Sequence, residues 1–340
     1  MNLYTESGYI DQTKILNRFE DFIFEIGPRG TGKSYGILKY ILDHKLKFIL
    51  LRRTQTEADL ISSEVTNPFK ALMRDDDQLQ ISAGSVNKNM GAFYDLSGGE
   101  EKGPPIGYIC GLSTFANIRG MDFSDVELIF YDEFIPEKRS RPIKDEFNAL
   151  LNMYETVNRN RELQGRIPAK LVCAANSNDI ANPIFLGLGI VNRIAKMMNK
   201  GIQEYRDPDR SLAVYMFMSS PISVQKEDTA LYKLARGTEY VNMALRNIFD
   251  IDSNSVSSRN LKEFKPVCSV GELVIYKHKS RTEYYAACKE FGTVPEIFST
   301  SDKDRKRFTQ KYHNLYMRYL AGAMLFEDET AMVIFEKIFA

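Results

Sequence analysis

Gly27-Pro28-Arg29-Gly30-Thr31-Gly32-Lys33-Ser34 fits the spacing G-x-x-x-x-G-K-[ST] at every fixed position. Those residue types in that order suit a triphosphate. Glycines let main-chain N–H groups turn inward around phosphate oxygens without Cβ clashes, and a following helix N-terminus adds partial positive charge. Lys33 is placed to reach the β- and γ-phosphates, and the Ser34 hydroxyl to ligate Mg²⁺. ATP and Mg²⁺ are therefore the expected ligands. A second element, Val126-Glu127-Leu128-Ile129-Phe130-Tyr131-Asp132-Glu133, is an apolar strand ending in two acids. Parallel sheets gather ligand chemistry at the carboxyl ends of their strands, so Asp132 is expected beside Ser34 as a second metal ligand. Glu133 can orient or deprotonate an attacking water. An acid directly after the magnesium aspartate favours hydrolysis over transfer to a small-molecule acceptor. A third strand ends in Asn176, which can sense the γ-phosphate or the water; a turn or cap asparagine is the competing reading. Arg52 and Arg53 close a further strand at this edge, either to touch nucleotide or a neighbouring subunit, or simply to be solvated.

The elements that must position these residues alternate short β-rich runs with helical ones, the pattern of an α/β domain with a largely parallel sheet. Strands are expected at Phe22–Ile26, Lys47–Leu51, Ile106–Cys110, Val126–Tyr131 and Lys170–Ala174. Helices are expected at Ser34–His44, Thr56–Leu72 and Pro142–Asn158, and an antiparallel hairpin or insertion at Leu79–Asp95. Arg206–Arg210 reads as a polar break before a strand-like run, Leu212–Met218. Helical segments follow around Gln225–Ala235 and Glu239–Phe249, then a Ser/Asn-rich linker, Asp250–Asn260. Strand-like Val267–Lys277 and Thr282–Ala287 precede a helical stretch from Lys303 to the end. The expected organisation is a nucleotide-binding domain at 1–200, a helical connector at 201–250 and a small α+β domain at 251–340.

Composition excludes several classes. The chain of 340 residues is 44% hydrophobic and 26% charged, ordinary for a folded protein. No apolar run reaches the roughly 18 residues of a membrane span, and Met1–Ile10 lacks signal-peptide character. Four separated cysteines without C-x-x-C and three scattered histidines argue against a disulfide scaffold or a zinc centre. A reduced, cytoplasmic protein without membrane contact is the expectation. Forty-five basic and 45 acidic residues leave no net charge, so a globally basic nucleic-acid binder is excluded. Local basic faces remain: Arg259–Arg318 carries a net charge of +6, and Lys138–Lys170 a net +4.

Beyond these strand ends, G-P-R-G-T-G-K-S, L-R-R, Y-D-E-F-I-P-E-K, T-V-N-R-N-R-E, A-N-S and G-T-E-Y follow one another in an order that resembles the DNA-packaging ATPases of small phi-29-type tailed phages. The D-E-F-I-x-E-K and R-N-R-E segments carry the resemblance over roughly residues 20–245. It implies an ASCE, RecA/terminase-like P-loop fold, with a C-terminal domain like a vestigial RNase H-type nuclease. It implies a homo-oligomeric ring, five-fold by expectation, on the portal of a preformed capsid. Such a ring would drive double-stranded DNA inward in the host cytoplasm without regard to sequence, would leave the mature virion, and could bind a structural packaging RNA. In such rings a neighbour lends an arginine in trans. Arg159 falls at the family's finger, Arg161 is the runner-up, and Arg119 aligns with a second basic residue facing the next site. Arg29 matches within the loop. Lys138 matches the family's pore lysine, and Arg139 and Arg141 add charge for DNA. Gln55 stands where a second pore lysine would be natural. The C-terminal acids, among them Asp250, Asp252, Glu272 and Glu283, are too spread for two-metal chemistry, so nuclease activity is not expected. Lys303–Arg307 is either a contact to DNA, RNA or portal, or a solvated face. The rival functions are a P-loop small-molecule kinase, which would need an arginine-bearing lid, and an assembly module stapled by nucleotide.

Overall fold

In the computed structural model, residues 2–99, 103–136, 142–176, 179–217, 220–222, 229–234 and 255–340 are described. They divide into two compact units. The first takes the described residues of Met1–Ile143, Ala149–Asn178 and Gly201–Ile248, and the second those of Lys144–Asn148, Asp179–Lys200 and Phe249–Ala340.

Short Val/Ile/Leu/Phe runs with no polar alternation are the signature of strands buried on both faces, and the first unit is built from them. Its elements are α1 (Gln12–Leu16), β1 (Phe22–Ile26), α2 (Lys33–Asp43), β2 (Phe48–Arg52), α3 (Gln55–Ile61), α4 (Lys70–Asp75), β3 (Ile81–Asn87), β4 (Met90–Asp95), β5 (Gly107–Gly111), β6 (Leu128–Asp132), α5 (Glu146–Asn158, from Ala149 onward), β7 (Lys170–Ala175), β8 (Glu204–Asp207) and β9 (Leu212–Met216). Among the described residues these strands form one nine-stranded sheet in the order β3-β4-β5-β2-β6-β7-β1-β9-β8. The six strands from β5 to β9 in that order run parallel. The β3–β4 hairpin closes one edge and β8 the other, both antiparallel. Ile37, Leu38 and Ile41 of α2 pack on Ile23, Phe48, Leu50, Phe130 and Val172 of the sheet.

The second unit holds α6 (Pro183–Leu188), α7 (Val191–Lys200), β10 (Phe264–Val270), β11 (Leu273–His278), β12 (Tyr284–Ala287), β13 (Ile297–Phe298), α8 (Asp302–Lys311), α9 (His313–Leu320), β14 (Met324–Phe326) and α10 (Glu329–Phe339). Its sheet order is β13-β10-β11-β12-β14, an antiparallel meander with a parallel strand at each edge. Phe264, Tyr276 and Tyr285 fill its core. Two spaced acids have structural partners here: Glu272 caps the first turn of α7, accepting from Val191 N at 2.7 Å, and Glu283 faces Arg259 at 3.7 Å.

The chain departs from the sequence expectation where long-range pairing decides. The expected boundary at 200 is replaced: Asp179–Lys200 joins the second unit, and Gly201 onward returns to the first because β9 pairs with β1. The expected polar break Arg206–Arg210 begins as edge strand β8. Thr56–Leu72 is two helices rather than one, since Pro68 forbids a continuous helix and Asn67 Oδ1 turns the chain by accepting from Phe69 N at 3.0 Å. Asp145, at φ +50°, delays α5 to Glu146. Val267–Lys277 is a hairpin through Gly271 at φ +54°. The C-terminal stretch is interrupted by β14. Of the two connector helices, the described part is a short helix Ala230–Leu234; the rest of Gln225–Ala235, and Glu239–Phe249, lie outside the described residues. All four cysteines are free thiols. No helix among the described residues is long and apolar enough to cross a membrane.

Gly111 shows how tightly the nucleotide edge is packed. A Cβ there would lie 2.4 Å from Gln55 N, at the start of α3. Gly111→Ala is expected to destabilise the chain by about 1–3 kcal/mol, read as a lowered midpoint in urea; an unchanged midpoint would show that α3 moves freely away from β5.

Candidate active site

Strand register sets the site. Asp132 of β6 pairs with Ala174 of β7, which pairs with Glu25 of β1, which pairs with Tyr215 of β9. In-register neighbours in a parallel sheet share a face, so the side chains of Asp132, Ala174, Glu25 and Tyr215 lie in one row. The face is that of α2, whose apolar side chains pack on Ile23, Phe130 and Val172 two residues earlier on these strands. Arg52, two residues after Leu50 on β2, extends the row.

The P-loop lies between β1 and α2. Gly27 N donates to Ala175 O at 3.2 Å, fixing its first residue beside the end of β7 and hence beside Asn176. A Cβ on Gly27 would meet Phe217 Cβ at 2.7 Å. Gly30 and Gly32 take φ of +68° and +88°, conformations open to glycine without penalty. Lys33 is buried at 4% exposure, and its Nζ donates to Gly27 O and Pro28 O, both at 2.8 Å. Thr31 Oγ1 donates to Pro28 O at 3.0 Å. The loop thus wraps its own lysine, and α2 begins at that residue with its N-terminal N–H groups at the same place. Arg29 is exposed on the outside of the loop.

The acids meet the loop as expected. Ser34 Oγ donates to Asp132 Oδ1 at 2.9 Å. A hydroxyl and a carboxylate so close are hard oxygen donors that suit a small cation keeping its other positions for water and phosphate. Arg52 reaches across: NH1 donates to Asp132 Oδ2 at 2.8 Å and NH2 to Glu133 Oε2 at 2.5 Å. Burial pushes the Asp132 carboxyl up, against the pull of Arg52. Burial also opposes the charge on Arg52, but Asp132 and Glu133 outweigh it and hold the guanidinium above its ordinary value. Neither arginine at the end of β2 is solvated: Arg52 bridges both acids, and Arg53 is 2% exposed. Glu133 stands at φ +55°, which a side chain with a Cβ adopts at a cost of about 1–2 kcal/mol. The turn sends Glu133 outward while Phe134 and Ile135 return to the core.

The arginines of the R-N-R-E segment separate cleanly. Arg161 is buried, its NH2 donating to Phe123 O, Ser124 O and Val126 O at 3.4, 2.9 and 2.5 Å. It clamps the loop that feeds β6. Arg159 is exposed at φ +49°, the residue after α5, and donates to Thr156 O at 3.4 Å and Met121 O at 3.2 Å. Glu162 is bonded by Asn158 instead, at 2.9 Å. Arg119, also exposed, lies two residues before Met121. The structure brings Arg119 and Arg159 to one loop. Among the described residues no hydrogen bond or ion pair joins either of them to Lys33, Asp132 or Glu133. Gln55 has a packing role: its Oε1 accepts from Gly111 N at 3.2 Å and Thr114 Oγ1 at 2.7 Å. Lys138, Arg139 and Arg141 lie outside the described residues.

Sequence reasoning passed over Gln12 and Glu25. Gln12 belongs to an N-terminal segment that backs the P-loop: Ile10 N donates to Thr31 O at 3.0 Å, and the Tyr9 ring lies against Gly32. An acid inside the run Phe-Ile-Phe-Glu-Ile was the available signal.

Residues 4–280 match the podovirus DNA encapsidation protein (Gp16) family. The chain belongs to that family. Similar relatives are the DNA packaging proteins of Bacillus phages PZA and phi29, each 29% identical over 335 residues, 95% of this chain and 91% of theirs. The fold is similar to a chain of the bacteriophage phi-29 genome packaging motor assembly, with a TM-score of 0.63 over 99% of both chains at 20% identity. In this encapsidation family, a mixed α/β fold with a parallel-sheet domain and a P-loop is a packaging ATPase.

The two arginines have opposite structural weights. Arg161→Ala takes a donor from three main-chain carbonyls, although Phe123 O keeps Val126 N and Ser124 O keeps Arg166 NH2, and is expected to cost about 2 kcal/mol. Arg159→Ala is expected to stay within about 0.5 kcal/mol of the parent. Thermal unfolding of the two variants checks this; equal losses would remove the distinction.

Proposed function

We propose that this chain is the ATP-driven translocase of a phage genome-packaging motor, a homo-oligomeric ring acting on double-stranded DNA at the capsid portal. The observation that carries it is the join between Ser34 and Asp132, with Glu133 next in chain and held by Arg52, in a member of the Gp16 encapsidation family.

The residues divide the work. Gly27–Ser34 bind the triphosphate, and Lys33 exchanges its contacts to Gly27 and Pro28 for phosphate oxygens. Ser34 and Asp132 would hold Mg²⁺, which would supply charge neutralisation at the phosphates. Glu133 orients the attacking water and accepts its proton; for this it leaves Arg52, so the ion pair is a latch on the base. Asn176, beside Gly27, senses the γ-phosphate. Arg159 serves the site of a neighbouring copy, with Arg119 beside it on the same surface. Two features favour Arg159 over Arg161. It is exposed, whereas Arg161 is spent on main-chain carbonyls. It also occupies, as an arginine, the left-handed position after a helix that glycine usually fills. Lys138, Arg139 and Arg141 grip phosphates on the DNA, and a partner without base contacts is what a motor for any sequence needs.

The ring is proposed as a pentamer docked on the procapsid in the host cytoplasm and absent from the mature virion, with a structural RNA as a further partner. The C-terminal unit is proposed as a relic of a nuclease fold to which no nuclease step is assigned. Of its basic stretch, Arg305 donates to Lys337 O at 3.0 Å, while Lys303, Lys306 and Arg307 are exposed.

Arg159→Ala and Glu133→Gln should each lower ATP turnover by about a thousandfold. Mixing the two variants should restore part of it, because one interface then keeps both groups. No rescue at any ratio would exclude a trans role for Arg159. DNA-stimulated turnover without any acceptor excludes a small-molecule kinase, and loss of packaging in Glu133→Gln excludes a mere nucleotide staple. Neutralising Lys138, Arg139 and Arg141 together should flatten the fall of DNA affinity with salt while basal hydrolysis survives. An unchanged slope of log K against log salt would take that loop off the DNA path.

A further inference from the structure

Glu25 is a carboxyl where the fold calls for an apolar side chain. It is the fourth residue of a parallel strand with neighbours on both sides, and it is fully buried. One oxygen, Oε2, accepts from Gln12 Nε2 at 2.8 Å. The other, Oε1, is buried with no hydrogen-bond partner, and so is Gln12 Oε1. Space is made for the pair: a Cβ on Gly36 of α2 would lie 2.7 Å from Gln12 Cγ. A carboxylate held by a single neutral donor is strongly disfavoured inside a protein. The cation that eases its charge is the ammonium of Lys33 at the start of α2, a smaller influence than burial or the Gln12 hydrogen bond.

We propose that Glu25 balances the charge of Lys33 in the free protein and takes up a proton from solvent when a bound triphosphate draws that ammonium to its own oxygens. The proposal rests on Lys33 being the phosphate-binding lysine. Once Lys33 pairs with phosphate, the same buried carboxylate faces new negative charge and shares its only cation. Like charge and burial both favour the neutral acid. The proton settles on Oε1, the oxygen that lacks a donor, and as an O–H that atom becomes a donor itself. No bond other than O–H forms, and release of the nucleotide returns the proton to solvent.

The surroundings leave Glu25 to carry this exchange. Gln12, from α1, is neutral. Ala174, its neighbour on β7, has nothing to titrate. Tyr215, its neighbour on β9, stays neutral because burial pushes its phenol to about 12. Asp132 lies beyond Ala174 and is tied by Ser34 and Arg52. Burial pushes the Glu25 carboxyl up to about 7, with Gln12 and Lys33 pulling it back; weakening the pull of Lys33 moves it higher. The sign follows. Below about pH 7 the acid is protonated with or without nucleotide, and affinity is level. Above that, binding must bring a proton, so affinity falls as pH rises until the carboxyl ionises in the complex too.

Calorimetric titration of the full chain with Mg²⁺ and a non-hydrolysable ATP analogue, at pH 8 in phosphate and in Tris, counts protons through the different ionisation heats of the two buffers. Glu25→Gln keeps an acceptor for Gln12, and Glu25→Val restores an ordinary strand residue should the first variant fold poorly. The wild type is expected to take up about half a proton to one proton more than either variant, which cancels the protons of the nucleotide itself. Its affinity is expected to fall by about three- to fivefold between pH 7 and pH 8 relative to the variants. Equal proton uptake in wild type and variants overturns the role of Glu25 and leaves the P-loop reading standing. No binding by the wild type overturns both.

Discussion

Strand register is the constraint from which the chemistry follows. Six parallel strands bring their carboxyl ends to one edge, and the pairing of β6, β7 and β1 fixes Asp132, Ala174 and Glu25 side by side under the start of α2. A slip of one residue in β6 would turn Asp132 to the opposite face, away from Ser34. The apolar residues two positions earlier hold that register, because Phe130, Val172 and Ile23 have one buried face to fill with the side chains of α2. The hydrophobic core and the catalytic edge are thus one pattern read at two heights along the strands.

On that edge the protein has placed more charge than a core tolerates without pairing. Lys33 and Arg52 face Glu25, Asp132 and Glu133 within a few residues of strand. Arg52 bonds Asp132 directly at the β2 end, while at the β1 end Lys33 is bonded to the P-loop carbonyls and acts on Glu25 only electrostatically, with small Ala174 between the two acids. A polyanion entering such a site competes for both cations at once. The acids they release then have different outlets. Glu133, half exposed on its strained turn, is free to meet water, whereas Glu25, fully buried, loses its charge by taking up the proposed proton.

Much of this was legible in the sequence because it is local. The P-loop spacing, the apolar strand before Asp132-Glu133 and the strand before Asn176 each name their own structural context, and the structure keeps all three at one edge. What was not legible depends on partners far apart in sequence. Nothing near Arg52 announces the two acids some 80 residues away, and its neighbour Arg53 looks the same on paper yet is buried. Arg159 and Arg161 are ranked only by the resemblance, and the loop at 121–126 shows which one is buried against it. The strand pairing that returns Leu212–Met216 to the first sheet, and so moves the domain boundary, is invisible for the same reason. Glu25 was in plain view, but a single acid in an apolar run has meaning only once its depth is known.

In the proposed motor, coupling between nucleotide and DNA rests on how β6 ends. After Glu133 the chain does not drift away: Phe134 N donates to Ala174 O at 3.2 Å, and the Phe134 ring packs edge-on against Phe24 of β1. Phe134 is therefore an anchored point that touches both the strand before the P-loop and the residue between Asp132 and Glu25. With Glu133 strained on one side of this anchor and held by Arg52, releasing the latch changes the load on a turn that is pinned immediately beyond it. Close packing leaves little room to absorb such a change within the core. The proposed base Glu133 and the proposed DNA grip Lys138 are five residues apart in sequence, so the proposed coupling needs no long pathway.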